Sequence, residues 1–311
     1  MTLTIVATTP KGIVLGADSR RITLKQIYPP DFFQSNKSEG GTSAVVTKPV
    51  QKFLRMSDNI TKIIPVFKNI AITCAGFGGF DKFDLSSLIK GYPKILSKDI
   101  NKRRPKGHKW SVAVRKVAND LHSLFAMMLE KVEPKEVVKH LSPICLTVAG
   151  YDLLGKEDAK PECYSVTVPG SVEDGMDSSD GLGWILQGNT ELAHRMKFGF
   201  SSALDSSSLA LSSTKSESST IRSGNEVIDL LDYRIRWDTI SLEDATDLVA
   251  KIIELTALMG KIAESKLHKE KLNREGLPDD LPFGVGGPLN IAIIDPQKGF
   301  YWHIKKGVRQ S

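Results

Sequence analysis

The chain is poor in cysteine, with three in 311 residues, and Cys74, Cys145 and Cys163 lack the spacing of a metal site. Their odd number and apolar neighbours lead us to expect reduced, buried thiols in a cytosol-like compartment. No apolar run approaches the roughly twenty residues that cross a bilayer, so no membrane partner is expected. The N-terminus has no basic stretch followed by a hydrophobic one, and no secretory signal is expected. Charge of one sign is not in large excess either: the net value of +6 is too small to imply nucleic acid. The densest basic stretch, KRRPKGHK from Lys102 to Lys109, holds Pro105 and Gly107 and reads as a solvated loop rather than a polyanion site. No internal repeat is found, and neither a cofactor nor a metal is expected.

What is there is a series of short strands and two strongly periodic helices. Thr4 to Thr8 reads as a strand, Thr9-Pro10-Lys11-Gly12 as a turn, and Ile13 to Ala17 as a second strand. Ile27 to Val50 is polar and turn-rich, as in a long loop. Lys62 to Phe67 and Ile70 to Ala75 form a second hairpin that runs into Gly76-Phe77-Gly78-Gly79. In WSVAVRKVANDLHSLFAMML, residues Trp110, Val114, Val117, Leu121, Phe125 and Met128 fall on one helical stripe. Strands follow at Ile144 to Ala149, Cys163 to Val168 and Trp184 to Leu186. A second helix starts at Ser241, whose spacing to Asp244 is that of a capping box. Its apolar face is Ala245, Leu248, Val249, Ile252, Ile253, Thr256 and Met259. Leu289 to Ile294 and Phe300 to His303 close the chain as a hairpin. Consecutive strands joined by short turns, with helices between them, indicate antiparallel sheets covered by helices, an α+β domain. From Ser201 to Ser223, eleven of 23 residues are serine, so this stretch buries little and reads as a flexible loop. Lys261 to Pro282 is charged and reads as a continuation of the helix followed by a loose turn.

These residues, taken in order, resemble the proteasome β-subunit family of N-terminal-nucleophile hydrolases. That family opens on a threonine, a hairpin and a strand ending in Asp-Ser-Arg, here Thr2 and Asp18-Ser19-Arg20. The sixteen-residue interval from Thr2 to Asp18 equals the family's without a gap, as does the fourteen-residue interval from Lys62 to Gly76. WSVAVRKVANDL, LTVAGYD, IRWDTISLEDATDLVAKII and VGGPLNIAIIDPQKGFYW are similar to later family blocks. The resemblance implies one domain, 1–311, built as a four-layer α-β-β-α sandwich with insertions near 24–60, 200–233 and 261–282.

It also implies a chemistry. A threonine hydroxyl needs a base, and a free terminal amine, with a reference pKa of about 7.7–8.0, is one. Loss of Met1 would expose both groups on Thr2, and the small second residue suits a methionine aminopeptidase. By resemblance Lys62 lies beside Thr2 and tunes both groups, and Asp18 pairs with Lys62. Gly76 offers its N–H to the oxyanion, Ser19 and Arg20 support the site, and Cys74 and Gly78 line the substrate pocket. Cys74 reads equally as an inert core residue. The sequence departs from the family in three places. Val285 stands where active members have serine and Pro282 where they have aspartate, with Asp279 and Asp280 the nearest replacements. Gln187-Gly188-Asn189 lies near a second family serine. The expectation is therefore a divergent threonine peptidase in the cytoplasm. It would act on peptides or proteins and assemble as a homo-oligomer, a ring or a related form, with an ATP-driven unfoldase as a candidate partner. The alternatives are a catalytically inactive assembly subunit and a hydrolase of non-peptide amides.

Overall fold

The structure is a computed structural model that describes residues 2–27, 50–58, 60–76, 79–80, 83–101, 113–132, 143–152, 159–176, 180–188, 190, 235–262, 285–306 and 308–310. The first hairpin pairs β1 (Leu3–Thr9) with β2 (Gly12–Ala17). Its turn closes on Thr9, whose hydroxyl donates to the Gly12 carbonyl at 3.1 Å and accepts from the Lys11 N–H at 3.2 Å. A ribbon of β3 (Arg21–Ile27) and β4 (Val50–Ser57) follows, then β5 (Ile63–Phe67) and β6 (Ile70–Gly76). The two-residue strands β7 (Gly79–Phe80) and β8 (Phe83–Asp84) lead into α1 (Leu85–Asn101) and then α2 (Val114–Val132). Next come β9 (Ile144–Gly150), β10 (Glu162–Val168), β11 (Val172–Asp174) and β12 (Gly183–Gly188). The chain ends with α3 (Leu242–Ile262), β13 (Asn290–Asp295), β14 (Gly299–Lys305) and β15 (Val308–Arg309).

The fold is mixed α+β with two larger antiparallel sheets. One has the order β12-β1-β2-β13-β14-β15, the other β11-β10-β9-β6-β5. Strands β1 and β2 of the first sheet are buried on both faces, which is why LTIVATT and GIVLGA read as nearly unbroken apolar runs. Along β1, Leu3, Ile5 and Ala7 pack with Val249, Ile252 and Ile253 of α3. Val6 faces the other way, with Ile63, Ala71 and Ala149 of the second sheet. The far face of that sheet, through Ile72, Leu146, Val148 and Val166, carries Ile89 of α1 and Val117, Leu121 and Phe125 of α2.

Nearer the start of β1 the layer between the sheets becomes polar. Thr4, Thr73 and Thr147 are buried, and their hydroxyls have no partner among the described residues. Gln187 donates across the gap to the Leu146 carbonyl at 3.1 Å and the Ser165 hydroxyl at 3.2 Å.

Several expectations need correction or fall outside the described residues. The segment taken as a loop from Ile27 is entered and left through the β3–β4 ribbon. Helix α1 and strand β11 add to the expected elements; Gly91 and Pro93 interrupt the α1 sequence, although Leu85, Leu88, Ile89 and Tyr92 form an apolar face on the core. Met259 is half exposed rather than on the core face of α3, although Ser241 caps that helix as expected, accepting the Asp244 N–H at 3.0 Å. All three cysteines are free, but only Cys163 is fully buried; Cys74 and Cys145 are partly exposed. Trp110, the basic stretch 102–109, the serine-rich stretch 201–223 and residues 263–282 lie outside the described residues. Among those described, no helix is long and apolar enough to cross a membrane.

Candidate active site

The turn at Thr9–Gly12 sets the register that brings the two ends of the first hairpin together. Thr4 lies opposite Ala17, and the Asp18 N–H donates to the Leu3 carbonyl at 3.3 Å. Asp18 therefore stands beside Thr2. Its Oδ1 accepts the Thr2 hydroxyl at 2.8 Å and the Leu3 N–H at 2.9 Å. Lys62 precedes β5 and comes from the other sheet. Its Nζ donates to Asp18 Oδ1 at 2.7 Å and also to the Thr2 hydroxyl oxygen. Thr2, Asp18 and Lys62 are all buried, at 5%, 1% and 7% exposure, so this lysine is held as an ion pair away from water. Burial pushes the Lys62 ammonium below its usual range, and the Asp18 carboxylate opposes that shift.

The other carboxylate oxygen is committed as well. Asp18 Oδ2 accepts the backbone N–H of Arg20 and of Gly286, each at 3.1 Å. A cavity of about 370 Å³ adjoins Asp18, lined also by Ile253, Glu254, Ala257, Leu258, Gly287, Leu289 and Ile304. Both carboxylate oxygens are occupied by donors, so the orientation of Asp18 is fixed by its hydrogen bonds. Ser19 and Arg20 both donate their N–H groups to the Gly286 carbonyl, at 3.1 and 2.9 Å. The Ser19 hydroxyl donates to the Asp58 carbonyl at 2.7 Å. The Arg20 guanidinium grips the Asp58 carboxylate through Nε at 2.7 Å and Nη2 at 2.9 Å.

Gly76 closes β6 opposite Ile144. The Cys74 N–H donates to the Lys62 carbonyl at 3.0 Å, so β6 runs beside the lysine. The Cys74 side chain is partly buried and packs against the apolar cluster under α1 and α2. Gly78, Asp279, Asp280 and Pro282 lie outside the described residues, and Val285 is buried beneath α3. Among the described residues no cluster of histidine, cysteine, aspartate or glutamate could hold a metal ion.

Sequence reasoning missed Asp58, the Gly286 N–H and the tight fit at Gly188. Gly188 has φ +93°, which favours glycine, and a Cβ there would come 1.9 Å from the Thr2 carbonyl oxygen. Gly188→Ala is expected to push Thr2 off its hydrogen bonds and to destabilise the protein by about 1–3 kcal/mol. Urea denaturation measures this; an unchanged midpoint would mean that the β1–β12 edge yields freely. No protein-family model matches this chain, and no curated protein matches it either.

Proposed function

We propose that the chain is a threonine-type amide hydrolase, a peptidase of a divergent proteasome β-subunit-like branch. The observation that carries this reading is the buried convergence of the Thr2 hydroxyl and the Asp18 carboxylate, from the two ends of one hairpin, with the Lys62 ammonium from the other sheet. With Met1 removed, the Thr2 amine takes the hydroxyl proton, directly or through a water, as Oγ1 attacks the amide carbon. The Lys62 ammonium stabilises the charge that develops on Oγ1. Asp18 holds Lys62 in place and balances its charge. The backbone N–H of Gly76 is assigned to the oxyanion. The protonated amine then passes its proton to the leaving nitrogen, leaving an ester on Thr2 that water cleaves with the same amine as base.

The finer architecture in this proposal is the four-layer α-β-β-α sandwich. Three stacked apolar clusters support it: helix pair against sheet, sheet against sheet, and sheet against α3. A homo-oligomeric ring or related assembly, a cytoplasmic location and peptide or protein substrates belong to the same reading. A second reading, an assembly subunit without activity, draws on Val285, whose side chain is buried against α3 and offers no hydroxyl to the amine.

Intact mass before and after treatment with a peptidyl epoxyketone separates the two. Its two electrophilic carbons would be captured by the hydroxyl and amine of one residue. The expected outcome is a chain lacking Met1 that gains one inhibitor mass on Thr2. Retained Met1, or a processed chain that takes no label, would overturn the hydrolase reading.

A further inference from the structure

We propose that Asp58 is a positioning residue of this site, acting through Arg20 and Gly286 on the Asp18 carboxylate; the inference rests on the hydrolase reading above. Asp58 touches none of the three reacting groups through any contact described above. It closes instead a knot that joins 18–20, Asp58 with Ile60, and Gly286 with Gly287. Its carboxylate grips Arg20 at two points, and its carbonyl accepts the Ser19 hydroxyl. The Ile60 N–H returns to the Ser19 carbonyl at 3.0 Å. Gly286 lies against the guanidinium, so close that a Cβ there would sit 2.6 Å from Arg20 Cζ. The adjoining Gly287 is equally hemmed in: a Cβ there would meet Ser19 Oγ at 2.6 Å and Asp58 Cβ at 2.9 Å. The guanidinium is thus a wedge held along its Nε–Nη2 edge by Asp58 and packed against Gly286.

That placement matters because the Gly286 N–H is one of two backbone donors on Asp18 Oδ2. While both hold, Oδ1 alone serves Lys62 and Thr2. When the wedge loosens, Gly286 withdraws, the carboxylate is free to turn, and Lys62 follows it away from the Thr2 hydroxyl. The Asp58 side chain is 39% exposed, and ion pairs of this kind add little to global stability. Its loss should therefore disturb placement more than folding.

Asp58→Ala tests this in two independent ways. First, hydrogen exchange at the Gly286 amide, followed by NMR, is expected to quicken at least about tenfold, while the Val148 amide in the core of β9 is unchanged. Second, turnover of a fluorogenic peptide is expected to lose roughly 10–100-fold in kcat with KM little altered, the signature of misplaced groups rather than lost binding. Arg20→Ala/Asp58→Ala should be no worse than the more damaging single variant, because both remove one wedge. If Asp58→Ala does not fold, Asp58→Asn, which keeps the size but not the second acceptor, is measured in the same way. Unchanged Gly286 exchange, or exchange that quickens equally at Val148, overturns the proposal. If the wild-type protein hydrolyses nothing, the hydrolase reading fails, while Gly286 exchange still decides whether Asp58 holds the loop.

Discussion

Thr2→Ala is expected to lose peptide hydrolysis by about three orders of magnitude or more, the scale seen when a nucleophile is deleted. The variant keeps a terminal amine, Lys62 and Asp18, so the loss would isolate the hydroxyl. Lys62 also loses a buried acceptor, which should cost about 1–3 kcal/mol; thermal unfolding of the variant, read beside its rate, keeps the two effects apart. Thr2→Ser restores the hydroxyl but removes the methyl that restricts its rotamer, so it should recover most of the rate. Equal turnover by Thr2→Ala and wild type would place the chemistry elsewhere.

The proximity of Thr2 and Asp18 is legible in the sequence because it depends only on a short turn and a register. Once Thr9 faces Gly12, strand geometry alone brings Leu3 opposite Asp18. The α+β class is legible for a similar reason: apolar runs of strand length alternate with a helical stripe on α2 and a capped start on α3. Lys62 is different. Its approach to Thr2 crosses between two sheets, and no local pattern encodes that; the expectation rests on a resemblance alone.

Asp58 and Gly286 were illegible for the same physical reason, carried further. Asp58 meets Arg20 across 38 positions, and Gly286 meets Asp18 across 268. Each looks like an ordinary turn residue in sequence. Helix α1 does carry an apolar stripe through Leu85, Leu88, Ile89 and Tyr92, but Gly91 and Pro93 inside it argue against a helix in sequence. It is held in place by tertiary contacts such as the Tyr92 hydroxyl bond to Asp120 on α2 at 2.7 Å.

Asp18→Ala is expected to destabilise the fold by about 3–5 kcal/mol, because it strands a buried ammonium. That is a large share of the 5–15 kcal/mol typical of a folded domain. The side chain removed accepts from Thr2, Leu3 and Lys62 on one oxygen and from Arg20 and Gly286 on the other. The defect should also depend on pH with a definite sign. Burial already lowers Lys62, and Asp18 is the group that raises it back; without Asp18 the folded-state value falls further. Between that value and the unfolded value of about 10.4, the unfolded chain binds more protons, so this group's contribution to stability rises with pH. Wild-type Lys62 is lowered as well, so the gap between variant and wild type should narrow only as pH rises from the variant's folded-state Lys62 value to the wild type's, and hold steady above it. Guanidinium denaturation at several pH values reads the gap directly. Above about pH 10 both proteins should weaken together. Tyr92, Tyr151 and Cys163 are raised by burial, so the folded state holds protons that the unfolded chain releases. Adding Lys62→Met to Asp18→Ala removes the stranded charge and should recover much of the lost stability at neutral pH while flattening the pH dependence. A double variant as unstable and as pH-sensitive as Asp18→Ala alone would show that the cost comes from the backbone donors left unpaired, and not from the ammonium.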